Sequence, residues 1–355
     1  MKLLSNKCSS CGYTLTFDPN SQMLLCSHCG NMVAIDEENL KTAHAYDETA
    51  KIKNNENYSA NFECESCGAK SSRKNIVSGT CPYCGSHNLK ELSEAFKFKA
   101  DGVVPFKVDK KTATECYRVW LRKKHFVPNN LKKMAHINKM EGYYFPCFSF
   151  DFNTSSKYSG VGISEHNVTK TINTPNGPRT VTETYTTRHS FSGVRDDIFE
   201  DLLVNANSLI TGYEIESLGN YGLETLKVFN PAYLLGFVTE ETTIDIHKGY
   251  NQAKQIADAQ IRSNIESYES YDRIEGLTVK SIYSKQKYKY IYLPIWICNF
   301  IYKQKDYKFL VNGFTGYVKG KVPRSPWKIL GLVMGILLGI TAITLIACYI
   351  AKLTR

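Results

Sequence analysis

The sequence predicts a mainly β protein with some α-helix, an α+β chain with metal-binding units at one end and a membrane anchor at the other. Three observations lead to this prediction: four Cys-x-x-Cys pairs near the N-terminus, an abundance of Tyr (23) and Phe (17), and an uncharged apolar segment near the C-terminus. Aromatic residues suit the half-buried face of a sheet. The predicted units are zinc ribbons at 1–35 and 61–92, a linker at 36–60, a β-rich α+β domain at 97–323 and a transmembrane helix at 327–351.

The four cysteine pairs form one motif used twice. The pairs are separated by 14 residues in the first unit and 13 in the second, and a glycine follows the second cysteine of every pair. Two thiolates three positions apart can hold one side of a tetrahedral ion when the chain curls between them, and glycine tolerates the positive φ of such a curl. The predicted ligands of two structural Zn²⁺ ions are Cys8, Cys11, Cys26 and Cys29, then Cys64, Cys67, Cys81 and Cys84.

Two alternatives for these cysteines stay open. They could be buried or redox-active thiols, although a redox pair is expected once rather than four times. His28 or His87 could replace a cysteine as a ligand. A catalytic zinc is disfavoured, because four thiolates leave no open position for water. A structural ion contributes an apparent folding free energy of about 10–16 kcal/mol, which suits units too small to bury a core.

The middle of the chain contains two predicted amphipathic helices. Thr112-x-x-Glu115 resembles a capping box at the start of the first. Its apolar face contains Ala113, Cys116, Tyr117 and Trp120, and its other side and the following turn are basic. That basic side is either a solvated face or a surface for anionic lipid headgroups or an acidic partner. The second helix is predicted from Ala253, Ile256, Ala257, Ile261, Ile265 and Tyr268.

Strands are predicted on both sides of the second helix. Thr-rich runs at 168–174 and 179–187 flank Pro175-Asn176-Gly177-Pro178, which indicates a hairpin. Residues 285–318 are predicted to form a meander with turns near 304–306 and 312–313. The segments 144–148 and 292–296 share a Tyr-x-Pro-x-aromatic pattern, which indicates two related β-units. Proline in each of them predicts a strand start or a sheet edge.

The C-terminal helix is predicted to cross a membrane once. Residues 329–351 contain no charge, and at 1.5 Å per residue they span about 35 Å. Basic residues are more numerous before the span than after it, and the N-terminus has no apolar signal segment, so the N-terminal region is expected in the cytoplasm. Gly331, Gly335 and Gly339 share one helix face and predict association with another helix.

The charge and the motifs of the chain limit the classes of function that the sequence predicts. The formal charge is +10, and eight thiolates holding two divalent ions would lower it to about +6, which suits a protein beside an anionic leaflet. The first ribbon is nearly neutral and the second is about +3, a weak basis for binding nucleic acid. No P-loop, H-E-x-x-H or G-x-S-x-G motif is present, so no enzyme activity is predicted.

Several segments together resemble one family. They are the paired C-x-x-C-G ribbons, Val104-Pro105-Phe106, the segment 142–148, the segment 230–237 and the segment 292–296. The chain resembles tail-anchored double-zinc-ribbon proteins of Gram-positive bacteria, often labelled TFIIB-type zinc ribbon or replication-restart helicase-like. The resemblance implies a bacterial membrane scaffold associated with phage-shock-type envelope-stress proteins. The helicase label would require a P-loop, which the chain lacks.

The leading hypothesis from the sequence is a membrane-anchored adaptor. In it, the ribbons and the β-rich domain present surfaces that recruit cytoplasmic partner proteins to the inner face of the membrane. The alternative is a membrane-tethered regulator that binds nucleic acid, which salt-dependent retention of DNA or RNA by the ribbons would favour. An enzyme and an accessory subunit of a transporter are weaker alternatives.

Overall fold

The computed structural model describes residues 7–36, 38–40, 42–46, 59–64, 70–74, 76–78, 89–91, 100–133, 140–175, 177–240 and 242–353, with the backbone alone described between 59 and 91. Strands predominate, helices are fewer, a cysteine cluster lies near the N-terminus, and one long apolar helix ends the chain. These features agree with the mixed, strand-rich class predicted from the sequence. The boundaries of the predicted units remain predictions.

The first small sheet contains β1 (Leu15–Asp18), β2 (Met23–Cys26) and β3 (Met32–Val33), paired antiparallel in that order. Burial alternates along β1 as in a sheet with one covered face, since Leu15 and Phe17 are buried and Thr16 and Asp18 are half-buried. The turn after β1 is stabilised by the Asp18 carboxylate, which accepts a 2.9 Å hydrogen bond from the backbone N–H of Ser21.

Part of the predicted linker packs against the rest of the protein. Strand β4 (His44–Ala45) pairs antiparallel with residues 287–288. The ring of Tyr46 stacks on that of Tyr250 with centroids 4.0 Å apart, and a ring nitrogen of His44 lies 2.7 Å from a carboxylate oxygen of Asp101. These contacts attach the segment to the large sheet and to the long helix beside it.

A second small sheet lies in the region of the predicted second ribbon. The strands there are β5 (Ser59–Cys64), β6 (Lys70–Lys74), β7 (Ile76–Ser78) and β8 (Leu89–Glu91). Strands β6, β5 and β8 pair antiparallel in that order, whereas β7 pairs with residues 239–240 of the large sheet.

The large sheet is built around three long antiparallel strands. Besides β4 and β7, its strands are β9 (Gly102–Val103), β10 (Glu141–Thr174), β11 (Gly177–Asn205), β12 (Lys227–Val228), β13 (Val238–Glu240), β14 (Arg273–Tyr302), β15 (Lys305–Asn312) and β16 (Val318–Gly320). Strand β10 lies between β11 and β14, and β15 and β16 continue from β14 as the predicted meander. The turn predicted at 304–306 is observed at 303–304.

The two Tyr-x-Pro segments pair with each other at the centre of this sheet. Tyr144 is opposite Pro294, Phe145 is opposite Leu293, and Pro146 is opposite Tyr292, so the repeat forms a local pseudo-twofold. The predicted related β-units are therefore adjacent antiparallel strands.

The prediction that these prolines mark a strand start or a sheet edge is wrong. On the edge of β10 that faces away from β14, residues 143–144 pair with β13 and residues from 147 onward pair with β11. Pro146 lies in the gap between these two paired stretches. Pro294 lies in the matching gap of β14, between β9 at 291–292 and β15 from 295 onward. A proline has no N–H to donate, and at such a gap none is required.

The hairpin of β10 and β11 is much longer than the sequence predicts. Its first strand has 34 residues, which at about 3.3 Å per residue corresponds to roughly 110 Å. Strand β14 accompanies it as far as the pair Ile163 and Arg273. Beyond that pair, residues 164–174 and 177–187 form a two-stranded ribbon whose described side chains are almost all exposed. We call this ribbon the distal hairpin.

Helices cover the sheet. They are α1 (Lys110–Lys123), α2 (Asn129–Lys133), α3 (Gly212–Glu216) and α4 (Ile246–Glu269). In α1, Ala113, Tyr117 and Leu121 are buried, and the Tyr117 ring stacks on Phe309 of β15 at 3.7 Å. In α4 the predicted apolar residues are buried except Ile256 and Tyr268, which are exposed.

The capping box predicted at Thr112 is misplaced. Asp109 is the N-cap of α1, and its carboxylate accepts a 2.8 Å hydrogen bond from the backbone N–H of Thr112. The side chain of Glu115 pairs with Arg118 instead of reaching back to the cap. Asp is as good an N-cap as Thr, and here it lies where the extended chain enters the helix.

The last helix, α5 (Pro326–Leu353), contains a candidate membrane span at Pro326–Ala347 with a mean hydropathy of 2.6 and none of that window buried within the protein. Its start is attached to the loop after α1. The backbone N–H of Ser325 donates to the carbonyl of Phe126 at 2.7 Å, and the ammonium of Lys328 donates to the carbonyl of Val127 and the side chain of Asn129, both at 2.7 Å. The helix is thus fixed to the folded body at its first turn.

Candidate metal centre

The four cysteines of the first predicted ribbon converge on one point. The sulfurs of Cys8, Cys11, Cys26 and Cys29 all lie within 4.8 Å of one another. Two of the separations are 3.6 Å, between Cys8 and Cys29, and 3.5 Å, between Cys11 and Cys26. Four sulfurs placed tetrahedrally about 2.3 Å from a zinc ion are roughly 3.8 Å apart. The donor set therefore fits a tetrahedral, thiolate-bound metal ion.

Two equivalent backbone curls present the sulfurs. In the first, the N–H of Gly12 donates to the carbonyl of Cys8 at 2.8 Å, and in the second the N–H of Gly30 donates to that of Cys26 at 2.9 Å. Both glycines have positive φ, +72° and +77°, and a Cβ at either would meet nothing within 4 Å. The need for glycine therefore comes from the backbone conformation alone.

Hydrogen bonds prepare one sulfur of each pair for ionisation. Burial opposes ionisation of Cys8, but the backbone N–H groups of Ser10 and Cys11, with the side chains of Cys29 and Asn31, lower its pKa to about 6. The backbone N–H of Cys29 lowers the pKa of Cys26 against the effect of its burial. On each curl, hydrogen bonds therefore lower the pKa of one sulfur and favour the anionic form that binds a metal ion.

The other two sulfurs need a cation to ionise. The backbone N–H of Tyr13 lowers the pKa of Cys11, but burial and the neighbouring sulfurs outweigh it and raise the pKa to about 12. In Cys29 the hydrogen bonds from Asn31 and Cys11 are likewise outweighed by burial and by Cys26 and Cys8, so its pKa is raised. A divalent ion among the four sulfurs removes this repulsion, which is the electrostatic case for a metal here.

The metal-binding unit is seated on the large domain. The backbone N–H of Phe17 donates to the carbonyl of Leu235 at 2.8 Å, and the Phe17 ring meets that of Tyr233 edge-on at 5.3 Å. Gly236, with φ +94°, lets Thr16 approach, since a Cβ there would lie 3.1 Å from the Thr16 side chain. The Gln22 side chain donates to the carbonyl of Phe106 at 2.8 Å. The 230–237 segment thus forms the seat of the ribbon, a role that sequence reasoning missed.

His28 is not brought into the cluster. Its ring lies against Tyr13 with centroids 5.5 Å apart, and it is not among the groups of possible metal ligands found in the described part of the chain. Of the second predicted ligand set, Cys64 is the last residue of β5, and Cys67, Cys81 and Cys84 lie outside the described residues, as does His87. Zinc as the metal of the first cluster and a second zinc ion both stay predictions.

The cysteines outside the ribbons are packing residues where they are described. Cys147 and Cys298 are fully buried in strands β10 and β14, and Cys116 is half-buried on α1. Burial raises the pKa of the Cys116 thiol, which keeps it protonated and unreactive. Among the described residues, the group of side chains that could hold a metal ion is the N-terminal cluster.

The similarity of this chain to known proteins extends over nearly its whole length. It is 26% identical over 340 residues, 94% of each chain, to a protein of Bacillus subtilis (strain 168) named "Uncharacterized protein YdjG". No protein-family model matches the chain, and no solved structure matches it. These comparisons therefore do not say what the four-cysteine cluster, the sheet and the apolar helix do together.

Proposed function

We propose that this protein is a single-pass membrane scaffold, with its ribbons and β-rich body in the cytoplasm, that recruits partner proteins to the inner face of the cell membrane. The proposal rests on one observation: the candidate membrane helix and a very long hairpin belong to the same folded body. A helix able to cross a membrane is hydrogen-bonded at its first turn to the folded part, and a hairpin of unusual length projects from that same part.

The distal hairpin is the surface that best suits partner binding. A two-stranded ribbon without a covering layer is only marginally stable in water, and polar pairs across the strands hold this one. Lys170 pairs with Glu183 at 2.8 Å, Tyr185 donates to the same carboxylate at 2.6 Å, and Thr184 donates to Asn167 at 2.7 Å. About 36 Å of ribbon is thus maintained far from the core, where it contributes little to packing.

The metal centre has a structural part in this proposal. Because the first ribbon is seated on the 230–237 segment, its metal braces the body rather than a free recognition tip. Recruitment through the second ribbon remains part of the proposal. The family resemblance makes phage-shock-type envelope-stress proteins the first partners to test.

The recruitment proposal is tested by shortening the hairpin in register. Residues 167–172 are paired with 179–184, so excising both segments removes six pairs, keeps residues 173–178 and leaves every remaining side chain on its own face. Proteins retained by the intact membrane protein and by this variant are compared by mass spectrometry. A Cys64→Ser/Cys67→Ser variant tests the second ribbon in the same experiment.

We expect specific partners to be lost from one variant while the protein stays in the membrane fraction. If both variants retain the same partners as the intact protein, recruitment through these parts is wrong. Anchoring is tested separately. Alkaline carbonate should leave the intact protein in the membrane pellet, and a C-terminal reporter should be found outside the cytosol. A soluble protein, or a cytosolic reporter, would refute the anchor or its orientation.

A further inference from the structure

The attachment of α5 fixes which part of the body lies at the membrane surface. The span begins with Trp327, which is 80% exposed, and Lys328, whose ammonium is bonded to the carbonyl of Val127 and to Asn129. Tryptophan and lysine at the start of a span lie at headgroup depth. The 126–129 loop is bonded to that turn and must therefore lie at headgroup depth too.

The loop at this level connects directly to the basic end of α1. Lys124 lies two residues before Phe126, so their Cα atoms are at most about 7 Å apart. Arg122, Lys123 and Lys124 are exposed at the helix C-terminus, and the Lys124 ammonium lies 4.8 Å from the centre of the Trp120 ring. The helix itself cannot swing away freely, because Tyr117 stacks on Phe309 and Leu121 is buried.

The charge of this region is strongly one-sided. Between residues 107 and 133 there are nine Lys or Arg residues and two acidic residues, and four more basic residues lie between 319 and 328. Both acidic groups are engaged within α1, since Asp109 caps the helix and Glu115 pairs with Arg118. Basic residues in the last turn also interact favourably with the helix dipole, but that effect would not require them to lie next to the loop that is hydrogen-bonded to Lys328.

We propose that the C-terminal end of α1, with Lys123 and Lys124 at its centre, is a binding surface for the headgroups of anionic phospholipids. This rests on the membrane anchoring proposed above. Lysines at headgroup depth interact with anionic lipids through charge, each contributing about a fivefold preference over a neutral lipid. The surface would hold the body close to the bilayer and set the direction in which the hairpin points.

The chain contains a tryptophan that can report on nearby lipid and a second lysine pair that can serve as a matched control. The chain contains three tryptophans, of which Trp327 is exposed at the start of the span and Trp296 is buried, donating to the carbonyl of Val108 at 2.9 Å. A Trp120→Phe background leaves Trp327 as the single tryptophan within reach of lipid. Lys110 and Lys111 also form an exposed pair, about 20 Å away at the other end of α1. That distance exceeds two Debye lengths at physiological salt.

The full-length protein is reconstituted in phosphatidylcholine bilayers, and brominated lipid is used to quench Trp327. Quenching by brominated phosphatidylglycerol and by brominated phosphatidylcholine gives their relative affinity beside the span. We expect phosphatidylglycerol to be preferred at least fivefold. Lys123→Gln/Lys124→Gln should reduce the preference toward one, and Lys110→Gln/Lys111→Gln should leave it unchanged. Raising the salt to 1 M should weaken the preference, because the Debye length falls to about 3 Å.

The outcomes separate the two proposals. If neither brominated lipid quenches Trp327, the protein is not inserted and the anchor fails. If both quench it equally in the unsubstituted protein, the anchor stands and the lipid surface is refuted, which would leave an acidic protein as the partner of this end of α1. If Lys123→Gln/Lys124→Gln and Lys110→Gln/Lys111→Gln reduce the preference for phosphatidylglycerol equally, the assignment of the binding surface to the C-terminal end of α1 is refuted. Loss of the preference in millimolar inorganic phosphate would identify a small-anion site instead of a lipid site.

Discussion

The backbone N–H of Phe17 donates to the carbonyl of Leu235 at 2.8 Å, and this is one of the hydrogen bonds that join the N-terminal four-cysteine unit to the body of the protein. Around it, Phe17 is 4% exposed and packs on Tyr233 and Phe237. The N-terminal cysteines therefore belong to a unit whose exposed surface differs from that of a free ribbon. We therefore expect metal binding by the four cysteines to stabilise the contact of this unit with the 230–237 segment, and the contact to stabilise metal binding.

Replacing Phe17 by Ala should undock the ribbon. The change removes a buried aromatic ring from the contact with Tyr233, and such changes cost about 3–5 kcal/mol. Urea unfolding of the detergent-solubilised protein should show this loss, and limited proteolysis should cleave near the ribbon faster. Tyr13→Ala is the control, because Tyr13 lies on the same ribbon and is 52% exposed. Equal effects of the two changes would contradict the seat described here.

Replacing Cys26 by Ser should remove one zinc ion per chain. Its sulfur is one of the four that lie within 4.8 Å of one another, so the substitution leaves three thiolates in the cluster. Metal analysis of the purified protein measures the change, and Cys116→Ser is the control because Cys116 is half-buried on α1. An unchanged zinc content in the Cys26 variant would show that this cluster does not hold the metal.

Acid should release the metal from the first ribbon. The pKa of Cys8 is lowered from 9.0 to about 6 in the folded protein, so its thiolate form stabilises the fold fully above pH 9 and is lost as the pH falls through 6. A bound ion lowers the pKa further, and release should begin no higher than about pH 6. A colorimetric zinc chelator followed over pH 8 to 4 measures the release. Release already at pH 7.5 would contradict this assignment.

Replacing Gly12 by Ala should weaken metal binding through the backbone alone. The φ of Gly12 is +72°, a conformation that costs an L-residue about 1–2 kcal/mol, and its Cβ would meet no atom within 4 Å. Competition with a chelator should show a loss of roughly 5- to 30-fold in affinity. Gly212→Ala is the matched control, since a Cβ there also meets nothing and its φ is not in the left-handed region. Similar effects of both would refute the conformational explanation.

Replacing Lys289 by Met should destabilise the root of the long hairpin. The Lys289 ammonium pairs with Asp201 and lies 3.7 Å from the Asp151 carboxylate, and its side chain is only 16% exposed. Asp201 sits at a bulge with φ +51°, where its N–H donates to Asp151 at 2.7 Å. Removing the cation leaves two nearby carboxylates, at a cost of about 1–3 kcal/mol.

Urea unfolding measures the loss expected from Lys289→Met. Lys287→Met is the control, because Lys287 lies two residues away on the same strand and is exposed. If both changes have the same small effect, the pair does not stabilise the bulge.

The sequence by itself determined those features that depend on local chemistry. The Cys-x-x-Cys-Gly spacing specifies a curl, and the first four cysteines do lie together. The apolar run from Ile329 to Ala351 predicts a long apolar helix, because a helix pairs its backbone groups within one segment, and the structure contains that helix. The shared Tyr-x-Pro-x-aromatic pattern at 144–148 and 292–296 predicted two related β-units, and both segments are strands.

Only the tertiary structure decided how these parts are arranged. The seat of Phe17 on the 230–237 segment, the prolines at gaps between lateral neighbours, and the bonds from Lys328 to the 127–129 loop all join residues far apart in the chain. Such contacts depend on packing and on which strands become neighbours, and no local period encodes them. The sequence therefore predicted the metal centre and the apolar helix, and the tertiary contacts determined what each of them is attached to.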